Sequence, residues 1–192
     1  NWERAASPPP PAETEEERKE REIAEEAEEL ASKHKIRDVE FVKTVLKQCK
    51  RRAGTGSDPS KWEDLIGMGG VRKLFLEEYV EPIAHPAAFG ASTDGILLFG
   101  LPNNGKSSIT EAMAAESDAN FFTINVMEIL GASQGIDTQK LIKLFKIARA
   151  VPGPSLIFFE ECKTLFGKSA SNRITVINSE WSRNNPDSIT VV

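Results

Sequence analysis

The ten residues FGLPNNGKSS, Phe99–Ser108, constrain the fold more than any other stretch of this chain. Gly100, Gly105, Lys106 and Ser107 satisfy the pattern G-x-x-x-x-G-K-[ST]. Upstream, GILLF (95–99) reads as a buried strand. Downstream, Ile109, Ala112 and Met113 form the inward stripe of a helix beginning near Lys106. A strand, a glycine-bounded loop and a helix in this order aim backbone N–H groups and the positive end of the helix at one place. That arrangement holds phosphate. Lys106 is then placed for the β- and γ-phosphates of a nucleotide and the Ser107 hydroxyl for Mg²⁺.

Two asparagines stand at the tip of the loop. Inward-pointing amides require some residues at positive φ, and Asn tolerates that region best among residues with a side chain. Asn103 is therefore a stand-in for glycine. Asn104 offers its backbone N–H whatever its side chain.

Around this motif, short apolar runs alternate with helical stripes. Val71, Leu74, Phe75 and Tyr79 predict a helix ending at Pro82. NFFTINV (120–126) predicts a strand. Asp137 is positioned to cap a helix carrying Leu141, Leu144, Phe145 and Ala148, stopped by Pro152 and Pro154. SLIFF (155–159) predicts another strand, Ile174, Ile177 and Trp181 a helix, and SITVV (188–192) a last strand. Strands alternating with helices imply an α/β fold whose mostly parallel central sheet is covered on both faces. The expected architecture is a P-loop three-layer sandwich, preceded by charged N-terminal helices.

A phosphate loop that works on its nucleotide needs a buried strand ending in an acid that supports Mg²⁺. Glu160 follows directly on SLIFF, and Glu161 comes next. As structure alone, two acids here would only suit the dipole of a following helix.

The N-terminal third has a different composition. Residues 1–12 are Pro-rich and expected to be disordered. Residues 13–52 read as a charged helical segment: Glu13–Glu29 holds ten glutamates against three basic residues, and Lys33–Arg52 reverses the balance with eight against two. Weak stripes run through both halves: Ile23, Ala27, Leu30 and Ala31, then Ile36, Val39, Leu46 and Cys49. They suit either an adaptor helix for a partner or a solvated charged surface. Residues 53–60 have linker chemistry. The net charge of −5 argues against binding nucleic-acid backbones. No apolar run is long enough for a membrane span. Cys49 and Cys162 make neither a disulfide framework nor a metal site, which suits two reduced thiols inside a cell. His34 and His85 lack partners at ligand spacing and read as surface residues.

Residues 61–192 resemble the AAA ATPases, in particular the group of katanin, spastin, the ESCRT-disassembly ATPase and the mitochondrial outer-membrane extraction ATPases. KWEDLIGMGGVRKLFLEEYVEPIAHPAAF is similar to the entry segment W-D-D-I-x-G-L through P-I-x-x-P-x-x-F. GILLFGLPNNGKSSITEAMAAES is similar to G-x-L-L-x-G-P-P-G-T-G-K-[ST]. FFTINVMEIL resembles the strand before the pore loop. LIKLFKIARAVPGPSLIFFEECKTLFG resembles L-F-x-x-A-R followed by P-S-I-I-F-I-D-E-x-D-x-L.

The resemblance implies the large subdomain of an ATP-binding, ATP-hydrolysing module, incomplete at its C-terminus. Its ligands would be ATP and Mg²⁺. Asp64, Leu65 and Ile66 would lie against adenine, mainly through backbone. Pro102, Asn103, Asn104, Gly105, Lys106, Ser107 and Ser108 would wrap the phosphates. Glu160 and Ser107 would support Mg²⁺; the catalytic residues would be Glu161, polarising the attacking water, and Lys106, on the β- and γ-phosphates. It further implies a homo-oligomer, a hexamer, in the cytoplasm or on an organelle surface, with the N-terminal helices meeting a protein substrate or adaptor. Trp62 would anchor the entry segment.

Several residues depart from the family pattern. Glu160 replaces Asp; its extra methylene displaces the carboxylate by about 1.5 Å, which matters for a cation demanding near-octahedral geometry. GASQGID has Ser133 and Gln134 where the pore loop has lysine and an aromatic. The stretch GKSASNR is shorter than the family's. Lys163 occupies the place of a second acid. These departures suit an alternative function, a nucleotide-binding but catalytically weak scaffold or regulatory subunit. A GTPase or small-molecule kinase is disfavoured because the chain contains no N-K-x-D stretch.

Overall fold

The computed structural model describes residues 14–50, 62–89, 95–127, 138–165, 171–181 and 189–191. The Pro-rich tail, the linker, the Asp137 cap and the 131–137 loop lie outside these residues.

At the centre is a sheet with strand order β1-β2-β3-β4. Strands β2 (Asn120–Asn125), β3 (Ser155–Glu160) and β4 (Ile189–Val191) run parallel, and β1 (Cys49–Lys50) pairs antiparallel with β2. Successive side chains alternate between faces. Phe122 and Ile124 of β2, with Ile157 and Phe159 of β3, enter one apolar cluster. Phe121 of β2, with Leu156 and Phe158 of β3, enters the other. The sheet is thus buried on both faces, which is why SLIFF is apolar throughout rather than alternating.

The second face is covered by α6 (Lys106–Glu116) through Ile109, Ala112 and Met113. Joining it are α3 (Gly69–Phe75), a π-helical turn (Leu76–Val80) and α4 (Glu81–Ala84), followed by α5 (Pro86–Phe89), whose Phe89 is exposed. The predicted end of this helix at Pro82 is corrected: the helix continues through Pro82 to Ala84. Pro82 has no N–H to give to a carbonyl four residues back. The π turn just before it widens the spiral, and Glu81 N–H bonds the carbonyl of Leu76. The ladder is already offset where the proline enters.

The first face is covered by α7 (Thr138–Ala150) and α8 (Ser171–Trp181), with Leu141, Leu144, Phe145, Ala148 and Ile177 buried as the stripes predict. The N-terminal helices α1 (Glu15–Lys33) and α2 (Val39–Lys47) join the same cluster. A capping box starts α1: Thr14 N–H donates to Glu17 at 2.8 Å and Glu17 N–H donates to the Thr14 hydroxyl at 3.3 Å. The pair is therefore not simply a solvated charged surface: Ala27, Leu30, Val42, Val45 and Leu46 pack with Phe122, Leu144 and Phe145. Glutamates occupy the outward side of α1. Cys49, predicted to extend the second helical stripe, instead belongs to β1; Gln48 ends α2, and Cys49 pairs with Phe122.

The clearest correction concerns GILLF. Residues 95–99 form no strand, and Leu97 and Phe99 are 70% and 91% exposed. A strand exists only through partners, and among the described residues 95–99 pair with none of the four strands. Gly95 instead lies flat on the Trp181 indole at the end of α8; a Cβ at that position would overlap the ring.

Candidate functional site

The loop Gly100–Gly105 leads straight into α6. Asn103 has φ 62° and Gly105, the N-cap of α6, has φ 76°. These left-handed turns let consecutive amides face one concavity, as the glycine-like reading of Asn103 requires. Gly105 also has a close neighbour: a Cβ there would stand 2.6 Å from Met68 Cε, so the end of that side chain would have to move. Met68 comes from the segment preceding α3, so that segment closes against the base of the loop.

Lys106 is half-buried and donates to two loop carbonyls, Gly100 O at 3.2 Å and Leu101 O at 2.8 Å. Its ammonium is held over the loop it would serve. Thr110 ties the first turn by donating to Lys106 O at 2.9 Å. Pro102, Asn103, Asn104 and Ser107 are exposed, and Ser108 is half-buried.

The entry segment reaches the same helix. Trp62–Asp64 forms a single 3-10 turn. Leu65 is buried in the cluster that contains Ile109 and Met113 of α6. Ile66 is 92% exposed, so two adjacent residues expected at the adenine are divided between core and solvent. The Arg72 guanidinium lies 5.6 Å from the Trp62 ring centroid and donates to Leu65 O at 3.5 Å. This fixes the segment on the core, the anchor role expected of Trp62.

Glu160 is the last residue of β3. Its register partner is Asn125, the last residue of β2. By alternation from Leu156 and Phe158, Glu160 shares the sheet face that α6 covers. It therefore lies at the carboxyl end of a parallel strand, on the side of the phosphate loop, where α/β sheets place ligands. Glu161 turns away with φ 51° and is exposed. Lys163 Nζ lies 3.8 Å from Glu161 Oε2.

Sequence reasoning missed Met68, Arg72 and Asn125. Met68 could have been flagged by its place between glycines in IGMGG; Arg72 carries no pattern of its own, because its role depends on how the Trp62–Leu65 turn folds back on α3, and Asn125 depends on Glu160, remote in sequence. Among the described residues, no group of three or more His, Cys, Asp or Glu could hold a metal by itself. The donors available to Mg²⁺–ATP are of the kind that shares a cation with phosphate: the Ser107 hydroxyl and the Glu160 carboxylate, with the Lys106 ammonium and loop amides for the anion. The glycine cradle and this donor chemistry fit that ligand. Among the described residues, no helix is long and apolar enough to cross a membrane.

Comparison with known proteins agrees with this geometry. The sequence pattern of the ATPase family associated with various cellular activities (AAA) matches residues 96–189. Fidgetin-like protein 1 of Drosophila melanogaster is 33% identical over 117 residues, 59% of this chain and 22% of that protein. Spastin of Dictyostelium discoideum is 36% identical over 119 residues, 60% of this chain and 18% of that protein. A solved katanin chain, described as the structural basis for katanin self-assembly, superposes with a TM-score of 0.61 at 25% identity. That alignment covers 79% of this chain and 51% of the katanin chain. The chain thus spans about a fifth of the length of the two relatives and about half of the solved chain.

Proposed function

Because this chain carries an AAA ATPase domain related to fidgetin, spastin and katanin, we propose that it binds Mg²⁺–ATP at the Gly100–Ser108 loop and hydrolyses it as part of a protein-remodelling assembly. The observation that supports this best is the loop itself: left-handed Asn103 and Gly105 entering α6, with Lys106 poised above the carbonyls of Gly100 and Leu101. In this reading Lys106 exchanges those carbonyls for phosphate oxygens. Ser107 and Glu160 support Mg²⁺, Leu65 and its neighbours border the base, and Glu161 orients the attacking water. When bound, Mg²⁺–ATP supplies the transferable phosphoryl group and much of the charge neutralisation.

The assembled form in this reading is a homo-oligomer, by likeness to a katanin chain solved for its self-assembly. The large exposed apolar residues Ile66, Leu97, Phe99 and Leu101 around the loop are compatible with such contacts. A three-layer P-loop sandwich, with β2–β4 in the middle, is the architecture proposed for the domain. The protein would work inside the cell.

The test is a titration with Mg²⁺–ATP followed by steady-state hydrolysis. Binding that needs Lys106, and turnover that falls with Glu161→Gln, supports the reading. Mg²⁺-independent affinity, or none, removes it. One observation favours the weaker, scaffold-like function: a glutamate rather than an aspartate ends β3. If Glu160→Asp hydrolyses ATP much faster than the natural chain, that function gains.

A further inference from the structure

Glu161 is the residue at which β3 stops and the chain turns. It does so at φ 51° and ψ 43°. Glycine would adopt this left-handed conformation without steric cost, and a glutamate does not. Strain of this kind persists where a side chain is needed at one place. The following 3-10 turn, Cys162–Thr164, brings the chain round so that Lys163 returns to the same carboxylate. The Lys163 ammonium stands 3.8 Å from Glu161 Oε2. Both side chains are mostly exposed, at 79% and 72%. Sequence alone had left Lys163 without a role.

The geometry points to Lys163 as a positioning residue that restrains Glu161: its ammonium holds the carboxylate in competition with the water that Glu161 is to orient. This rests on the reading of Glu161 as the hydrolytic acid. An oxygen held toward the ammonium is turned away from the water, so part of the population waits in a non-productive rotamer. Lys163 touches neither nucleotide nor reacting atoms; it acts only through Glu161. Because the pair is exposed, the brake is modest. Exposed pairs of this kind correspond to a change of about 1.4- to fivefold. Salt dismantles such pairs, since the screening length falls to about 3 Å at 1 M ionic strength.

The experiment compares hydrolysis by the 192-residue chain with Lys163→Ala and Lys163→Arg at low and high salt, each also in a Glu161→Gln background. At low salt Lys163→Ala should raise kcat about 1.4- to fivefold with KM unchanged. Lys163→Arg should restore the restrained rate. At about 1 M salt the natural chain and Lys163→Ala should converge. In the Glu161→Gln background, removing Lys163 should change nothing. An equal or lower rate for Lys163→Ala at low salt overturns the brake. So does an increase that survives high salt, or one that survives the loss of Glu161. A chain that binds ATP through Lys106 but turns none over, with or without Lys163, also overturns it and leaves the binding reading standing. If Glu161→Gln leaves a measurable rate unchanged, the assignment of Glu161 is what fails.

Discussion

Arg149 and Glu180 lock α7 to α8. The guanidinium donates to the Glu180 carboxylate and, at 3.0 Å, to the Glu180 backbone carbonyl. The Glu180 side chain is 3% exposed and that of Arg149 16%. The next residue, Trp181, is the platform on which Gly95 rests, so the pair also fixes what supports the approach to the phosphate loop.

Breaking this pair should be costly because the survivor remains buried. Arg149→Ala is expected to lower unfolding stability by about 3–5 kcal/mol. Replacing both residues together, Arg149→Met with Glu180→Leu, should cost much less. Urea midpoints of the natural chain and the two variants at constant m-value check this.

Lys106→Ala removes a charged donor without creating a cavity in the core. Loss of one charge-assisted interaction should weaken Mg²⁺–ATP affinity by about ten- to hundredfold. Thermal stability should move little, because the two loop carbonyls it leaves are near solvent. Isothermal titration and a melting curve on the same sample separate the two effects.

Asn103 and a β-branched residue should part sharply at φ 62°. Asn103→Gly should be neutral or slightly stabilising, and Asn103→Val should cost about 1–2 kcal/mol. The same order is expected for nucleotide affinity, because the loop amides turn with that residue. Chemical denaturation with and without ATP reads both.

Asp38 caps α2 through Phe41 N–H and meets Lys143 of α7 at 2.9 Å. The hydrogen bond from Lys143, and then that from Phe41, holds its carboxyl below the ordinary aspartate value. A depressed folded value means the stabilisation is complete above the unfolded value of about 3.9 and is lost as pH falls through the folded one. The side chain is 40% exposed, so the contribution should not exceed about 1 kcal/mol. Asp38→Asn should keep most of the cap and flatten the acid limb of the stability profile below about pH 4. Stability measured at steps from pH 6 to about pH 2.5 tests the direction.

Leu30→Ala tests whether α1 belongs to the core of the sheet. The side chain shares a cluster with Leu144, Phe145 and Phe122. A loss of about 2–5 kcal/mol in one cooperative transition is expected. A separate early transition, with the main one unmoved, would show that the helix pair folds on its own.

Much of this molecule was readable in its sequence. The apolar stripe Leu141, Leu144, Phe145 and Ala148 and the run SLIFF carry their structure with them, because period and length say which faces must leave water. The loop pattern is equally local: two glycines, an asparagine and a lysine set φ values and charge within a few residues. Tertiary structure decided what pairs with what. GILLF has the composition of a strand, but a strand is defined by its partners, and residues 95–99 pair with none of the four strands, Gly95 lying against Trp181 instead. Pro82 should stop a helix, yet the π turn ahead of it had already shifted the hydrogen-bond ladder. Cys49 fits a helical stripe but was drawn into the sheet by Phe122. The Arg149–Glu180 pair and the approach of Met68 to Gly105 join residues tens of positions apart. Hydrophobic pattern fixes which surfaces need covering; only the folded chain, by excluding every partner but one, settles what covers them.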